Sequence, residues 1–313
     1  MAVKPQLSFV IPVKDEKKSI VILASEIIDV CKKIGRTYEI IFIDDGSIDN
    51  SWQVIKSLHK KNPKILGIKH RRNFGKSIAL LNGFRRASAP LVFTLDGDLQ
   101  DNPSQIPAFL AKIDEGYDLV TGWKKKRLDP VFSKVLPSRV INFLTRTFTG
   151  LKIHDTNCGF KLFKKETLEA LTLYGELYRF LPALVYQKGF RVGEVVIKHW
   201  PRRFGKSKFG WIRGVKGILD LLTVAFLTGY STRPGHFFGT IGIGFSFIGF
   251  VIGIYLIYLR LVTGGINYHY PLLIGGVLLV MAGIQFISLG LLGEMILTTQ
   301  NPELPKGIIS EEL

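Results

Sequence analysis

From residue 7 to about residue 198 the chain alternates short apolar runs with stretches whose apolar residues recur every three or four positions. The apolar runs predict strands at 7–13, 38–44, 65–69, 91–95, 118–122 and 191–198. The helical spacing predicts helices at 19–34, 50–60, 76–87 and 103–115. In the second strand Ile40, Ile41, Phe42 and Ile43 follow one another without alternation, the pattern of a strand buried on both faces. The helix at 103 carries start signals: Asn102 can cap it, Pro103 takes the first helical position, and Gln105 is placed to close a capping box. Alternating strands and helices predict an α/β fold, a mostly parallel sheet with helices on both faces. Such sheets bind ligands at the carboxyl ends of their strands.

The pattern changes at residue 237. Residues 237–259 carry no charge, and residues 272–292 form a second apolar run; each is long enough to cross a bilayer, which takes about 20 residues. Two such helices bring the end of the chain back to the side on which it started. The alternative, a pair of buried core helices, fits poorly with so few polar residues. Two further stretches, 136–150 and 212–230, mix apolar and basic residues as interfacial helices do, although ordinary core packing competes with that reading. The expected organisation is a catalytic domain at 1–208, an interfacial segment at 209–235, a two-helix anchor at 236–299 and a tail at 300–313.

Composition sharpens this. Mean hydropathy is +0.22, with the excess near the C-terminus. Net charge is +17, which suits an anionic membrane or a phosphorylated substrate; nucleic acid would explain the charge but not the apolar helices. The Lys and Arg excess precedes the first span, so the positive-inside rule puts the N-terminal domain in the cytoplasm. Residues 1–6 lead straight into a strand with no hydrophobic leader, which agrees. Cys31 and Cys158 form no metal spacing and no disulfide framework.

The candidate chemistry lies at three strand ends. Phe93-Thr94-Leu95 runs into Asp96-Gly97-Asp98, where the small Gly97 lets two carboxylates face one oxygen-rich cation such as Mg²⁺ or Mn²⁺. Ile43 is followed by Asp44-Asp45-Gly46-Ser47, and Val10-Ile11-Pro12-Val13 by Lys14-Asp15-Glu16. Carboxylates there can hydrogen-bond a base or a ribose. Any one of them can instead cap a helix, as Asp49 is placed to do, but three acidic strand ends on one sheet edge exceed what capping needs.

These motifs, in this order and spacing, resemble the nucleotide-sugar-binding domain of family 2 glycosyltransferases, the Rossmann-like GT-A fold. Asn73-Phe74-Gly75-Lys76, Leu99-Gln100-Asp101-Asn102-Pro103, Asp155-Thr156-Asn157-Cys158-Gly159-Phe160-Lys161 and the basic stretch Arg202 to Lys208 narrow the resemblance to polyprenyl-phosphate glycosyltransferases of the dolichol-phosphate mannose synthase type. The resemblance implies nucleotide-sugar contacts from Pro12, Asp15, Glu16, Asp44, Asp45, Lys76, Asp96, Gly97 and Asp98. It also implies a metal and diphosphate site at Asp96, Asp98 and Gln100, and inversion at the anomeric carbon. A Gly-Ser-Arg stretch common in the family reads Gly122-Trp123-Lys124 here. The run from Lys124 to Arg127 either takes over the arginine's role or binds anionic lipid.

The nucleophile expected is a lipid phosphate. Its second pKa is near about 6, so it is largely dianionic at neutral pH and calls for no strong base. The protein must then hold two anionic groups close together. Between Trp200 and Leu219 stand six basic residues and no acidic one. Arg139, Arg202, Ser207 and Lys208 are the candidate acceptor-phosphate residues, the competing reading being a lipid-facing basic surface. Asp155 is a candidate catalytic residue with Asp96 and Asp98, aligning the acceptor or acting as a base, or else a structural hydrogen-bond partner. The expected partners are a nucleotide-sugar, polyprenyl phosphate and anionic lipid, with a homo-oligomer left open. The rival readings are a processive polysaccharide synthase, whose Gln-x-x-Arg-Trp motif is missing, and an inactive membrane scaffold, against which the intact acid pair argues.

Overall fold

The structure, a computed structural model, describes residues 4–125, 150–171, 173, 175, 177–201, 234–266 and 268–299. They fall into two compact units, one before and one after the undescribed stretch 202–233.

The first unit is built on β1 (Leu7–Val13), α1 (Ile20–Lys33), β2 (Tyr38–Asp44), α2 (Ser51–Lys61), β3 (Ile65–Lys69), α3 (Lys76–Arg86) and β4 (Leu91–Thr94). Then come α4 (Ile106–Asp114), β5 (Leu119–Trp123), β6 (Lys161–Lys164), α5 (Lys165–Glu169), α6 (Leu181–Gln187) and β7 (Val192–Val196). One seven-stranded sheet runs in the order β3-β2-β1-β4-β6-β5-β7. Strands β3, β2, β1 and β4 are mutually parallel, and β7 is parallel to β5. The expected α/β fold with a mostly parallel sheet is what forms.

Strand β6, antiparallel to β4 and β5, was not anticipated. It has four residues, Lys-Leu-Phe-Lys, too few to show a period, and its lysines disguise a strand whose Lys161 is only 3% exposed. The helix expected at 103–115 begins instead as a 3₁₀ turn, Pro103–Gln105, before α4. Asn102 does cap, its side chain accepting from the Ser104 N–H at 2.8 Å. The capping box does not close, since the buried Gln105 side-chain oxygen has no hydrogen-bond partner among the described residues.

Side-chain alternation loads both faces of the sheet. Phe9, Ile11, Ile40, Phe42 and Phe93 join Leu23 and Ile27 of α1 and Phe109 of α4 in one core. On the other face α3 lies so close that a Cβ at Gly83 would collide with Val10 and Ile43. All seven residues of β2 are buried, as its unbroken apolar run requires. Phe93 stacks on Phe9 with centroids 5.1 Å apart and also meets Phe109 and Phe160. Truncating such a residue typically costs about 3–5 kcal/mol. Phe93 stands three residues before Asp96 and Phe160 directly after Gly159, so this cluster also sets the site's floor.

The second unit is a pair of antiparallel helices, α7 (Pro234–Thr263) and α8 (Tyr270–Thr299), each 30 residues long and therefore longer than the apolar runs that marked them. Their most apolar stretches have mean hydropathies of 2.2 and 2.3, enough to cross a membrane by length and composition. A Cβ at Gly242 would meet the Gly283 carbonyl oxygen at 2.5 Å, and one at Gly249 the Gly276 carbonyl oxygen at 2.6 Å. The backbones thus touch along a glycine seam, the closeness that small residues permit. Many of the large side chains, among them Phe247, Phe250, Leu278 and Met281, are exposed, whereas Leu256 is buried and Phe238 and Phe245 pack on Phe286 of the other helix.

Candidate active site

The ends of β1, β2 and β4 lie side by side, and the loops that follow them form the site. The loops after β1 and β2 lock together. Asp15 adopts a positive φ of 53°, its N–H donates to Ser47 Oγ at 2.9 Å, and its Oδ1 accepts from the Ile48 N–H at 2.8 Å. The Glu16 N–H donates to Ser51 Oγ at 2.9 Å. Asp49 does act as a helix-start acceptor, receiving the Ser51 N–H at 2.9 Å.

The two acids ending β2 divide their work. Asp45 is a clamp: its Oδ1 accepts from the Phe74 N–H and lies 2.8 Å from His70 Nδ1, and its Oδ2 accepts from the Gly75 N–H at 2.9 Å. This fixes the loop that starts α3 and so places Lys76. Asp44 is fully buried. Its Oδ1 accepts from the Ser47 N–H at 2.9 Å, and its Oδ2 has no hydrogen-bond partner among the described residues. An unpaired buried acceptor is costly and calls for an explanation.

The acid pair follows β4. Gly97 packs on β1, where a Cβ would stand 2.8 Å from Val13 Cγ1 and 3.5 Å from the Pro12 carbonyl oxygen. Asp98 is 7% exposed and turns its Oδ1 back to the Gln100 N–H at 3.2 Å. Asp96 is half-buried and forms an ion pair with Lys76 from the start of α3. Burial alone would raise the Asp96 carboxyl, but the ammonium groups of Lys76, Lys124 and Lys161 outweigh it and hold it down at about 2. Burial likewise works against the Lys76 charge, and Asp96 reverses the sign, so its ammonium is stabilised.

The far wall was only partly anticipated. Gly159, Lys161 and Tyr178 join Lys76, Thr94 and Asp96 around one small cleft. Thr94 Oγ1 donates to the Gly159 carbonyl at 2.8 Å, which brings the Gly159 Cα against the Asp96 carboxylate. The Lys161 ammonium is turned inward onto the Cys158 carbonyl, and burial lowers it to about 8. Nothing in a four-residue strand flanked by lysines marks one of them as buried; only the surrounding motif hinted at it. Lys76 lies 5.0 Å from the Tyr178 ring centroid. Cys158 is buried beside them, its thiol pushed up to about 12 by burial. Asp155 is 1% exposed, and its Oδ1 accepts from the Asn157 N–H at 3.2 Å, a turn-forming bond. Lys124 is neither a free phosphate ligand nor a lipid contact: its ammonium is buried 2.7 Å from Asp101 Oδ1.

Of the expected site residues, the structure brings Pro12, Asp15, Glu16, Asp44, Asp45, Lys76, Asp96, Gly97, Asp98 and Gln100 to one sheet edge. Arg139, Arg202, Ser207 and Lys208, with residues 136–149 and 209–233 of the interfacial segments and the tail, lie outside the described residues. Among the described residues no three His, Cys, Asp or Glu side chains converge as a ready metal cage. Two carboxylates in one turn, one of them firmly ionised, instead fit a hard cation that takes its remaining ligands from substrate phosphates and water.

Comparison with known proteins agrees with this architecture. The sequence pattern of glycosyl transferase family 2 matches residues 8–172. The dodecaprenyl-phosphate galacturonate synthase of Rhizobium johnstonii is 35% identical over 298 residues, covering 94% of this chain and 88% of that protein. The undecaprenyl-phosphate 4-deoxy-4-formamido-L-arabinose transferase of Shewanella sediminis is 34% identical over 294 residues, covering 93% and 86%. Among solved structures, glucosyl-3-phosphoglycerate synthase from Mycobacterium tuberculosis, crystallised with Mn²⁺, UDP and phosphoglyceric acid, superposes with a TM-score of 0.55 at 17% identity, over 71% of this chain and 78% of that one. That likeness is one of fold.

Proposed function

This chain belongs to glycosyl transferase family 2, and we propose that it moves a hexosyl group from a UDP- or GDP-linked sugar to polyprenyl phosphate, of the undecaprenyl or dolichyl type, at the cytoplasmic face of a membrane. One observation carries the reading. Relatives named as polyprenyl-phosphate sugar transferases match more than nine-tenths of this chain, the C-terminal apolar helices included. The two relatives differ in the sugar they are named for, so the sugar is a matter for assay.

Asp96 and Asp98, with Gln100 beside them, would hold Mg²⁺ or Mn²⁺. A cation there would supply charge neutralisation for the leaving nucleotide diphosphate. Asp44, whose buried Oδ2 has no hydrogen-bond partner among the described residues, would be the acceptor for a base N–H or a ribose hydroxyl. Asp15, Glu16 and Asp45 hold the loops that shape that pocket, and Lys76 stands where the donor diphosphate would reach it. The acceptor phosphate oxygen attacks the anomeric carbon as the bond from that carbon to the diphosphate oxygen breaks, which inverts the centre. The phosphate dianion brings its own electron pair, so the buried, turn-forming Asp155 need not accept a proton. We propose a catalytic domain at 1–208, an interfacial segment at 209–235, an anchor at 236–299 and a tail at 300–313.

The direct test incubates purified protein with polyprenyl phosphate and a panel of UDP- and GDP-sugars, reading products by mass. Formation of one glycosyl-phosphoryl-polyprenol is expected; polymeric product, or none from any donor, would overturn the reading. In the same assay Arg202→Ala should raise the acceptor KM about tenfold, the value of one charge-assisted contact, and leave the donor KM unchanged. A shift in the donor KM alone would remove Arg202 from the acceptor site.

The loop between α7 and α8, residues 264–269, contains no Lys or Arg, whereas the chain before α7 is rich in both. That asymmetry supports a cytoplasmic catalytic domain. Reporter fusions at both termini should report the cytoplasm, and opposite sides would refute the topology.

A further inference from the structure

The loop carrying Asp96 and Asp98 contains a strained residue. Leu99, buried at 5% exposure, sits at φ 61°, a left-handed conformation in which a Cβ crowds the following carbonyl. Such strain persists only where the surroundings impose it. Two residues further on, Asp101 is buried and meets the Lys124 ammonium at 2.7 Å, the two side chains being 0% and 11% exposed. Lys124 directly follows β5. On the opposite side Asp101 forms an isolated antiparallel bridge with His199, whose Nδ1 lies 4.0 Å from the same Asp101 oxygen. The next residue, Trp200, donates its N–H to the Gln100 carbonyl at 3.0 Å. The cluster therefore ties together the segments that follow β4, β5 and β7, and residue 202, where the basic stretch begins, comes two positions after Trp200.

A buried ion pair is a poor device for stability alone. Well-packed apolar residues of the same volume commonly do as well or better, because they avoid desolvating two charges. What an apolar pair lacks is direction: it cannot hold one loop at one register against a backbone that resists. We infer that the Asp101–Lys124 pair is a positioning device, fixing the strained 96–101 loop so that the Asp96 and Asp98 carboxylates converge on one cation. The inference rests on the assignment of those two carboxylates to the metal. It also gives Lys124 a role distinct from phosphate binding, since its ammonium is already engaged.

The test measures Mn²⁺ binding by electron paramagnetic resonance on the full chain in detergent with UDP or GDP present to supply the phosphate ligands, beside thermal unfolding by circular dichroism. Lys124→Met combined with Asp101→Asn removes both charges at nearly constant volume, and Lys112→Met on the surface serves as the control. The double variant should unfold within a few degrees of the wild type yet bind Mn²⁺ about tenfold or more weakly, the usual effect of losing a partner that orients metal ligands. The control should match the wild type in both measurements. A folded double variant with wild-type Mn²⁺ affinity would overturn the positioning role and leave the metal assignment standing. A wild type that binds no Mn²⁺ would overturn the metal assignment and this inference with it. If the double variant does not fold, Asp101→Asn alone is titrated against the same criteria.

Discussion

Asparagine at either Asp96 or Asp98 is expected to reduce transfer by at least about 10²-fold while leaving the protein folded, a loss of the size seen when one preorganised electrostatic contact to developing charge is removed. The substitution keeps the shape of the side chain and deletes its charge. Asp96 is held at about 2, so near neutral pH its carboxylate is always ionised, and a neutral amide has no counterpart in the working protein. Asp96→Asn also strips Lys76 of its ion-pair partner, leaving an ammonium at the mouth of the site free to swing. Both variants should keep the wild-type melting temperature to within a few degrees, because the carboxylates lie at the sheet edge and outside the phenylalanine core. The check is turnover with saturating donor and acceptor, with and without EDTA. A wild type indifferent to chelation, or an asparagine variant within a few-fold of it, would remove the metal from the reaction.

Gly159→Ala is expected to be nearly as damaging, although Gly159 has no side chain to act with. A Cβ at this position would stand 2.5 Å from Asp96 Cγ and 2.6 Å from its Oδ1, well inside contact distance. The backbone cannot retreat: the Gly159 carbonyl is held by Thr94, and Phe160 is stacked on Phe109 at 4.3 Å. The carboxylate must therefore move, and a displacement of about 1 Å at a reacting centre can cost around a hundredfold in rate. The control is Gly239→Ala in α7, where a Cβ meets nothing within 4 Å. Steady-state turnover of both variants, with circular dichroism to establish folding, decides it. A Gly159→Ala protein with wild-type kcat would mean that the Asp96 carboxylate tolerates relocation.

Much of this was legible in the residues and some was not, for identifiable reasons. The central strands β1, β2 and β4 could be read because each is an apolar run buried on both faces, and the acid motifs because charge directly after such a run is conspicuous. Strand β6 could not be read, since its lysines look like surface residues until the fold turns Lys161 inward. The division of labour within Asp44-Asp45 was equally hidden. Two adjacent aspartates look alike in a sequence, and only the fold shows that one clamps the loop before α3 while the other keeps an unpaired oxygen. Lys124 belongs to the same class. It stood at the head of a basic run read as replacing the family's arginine or binding anionic lipid, and the structure buries its ammonium against Asp101.

The glycine seam between α7 and α8 bears on how this part of the chain can drift over time. In a bilayer, whose lipid tails are as apolar as leucine, nothing apolar would drive two such helices together, and the contact would rest on how closely their backbones approach. Gly242, Gly249, Gly276 and Gly283 are therefore constrained, while the outward residues answer only to greasiness and length. Exchanges among Ile, Leu, Val and Phe on those outer faces should be close to neutral under selection. Divergence will accumulate there, and plain percentage identity will understate how well this part of the protein has been kept.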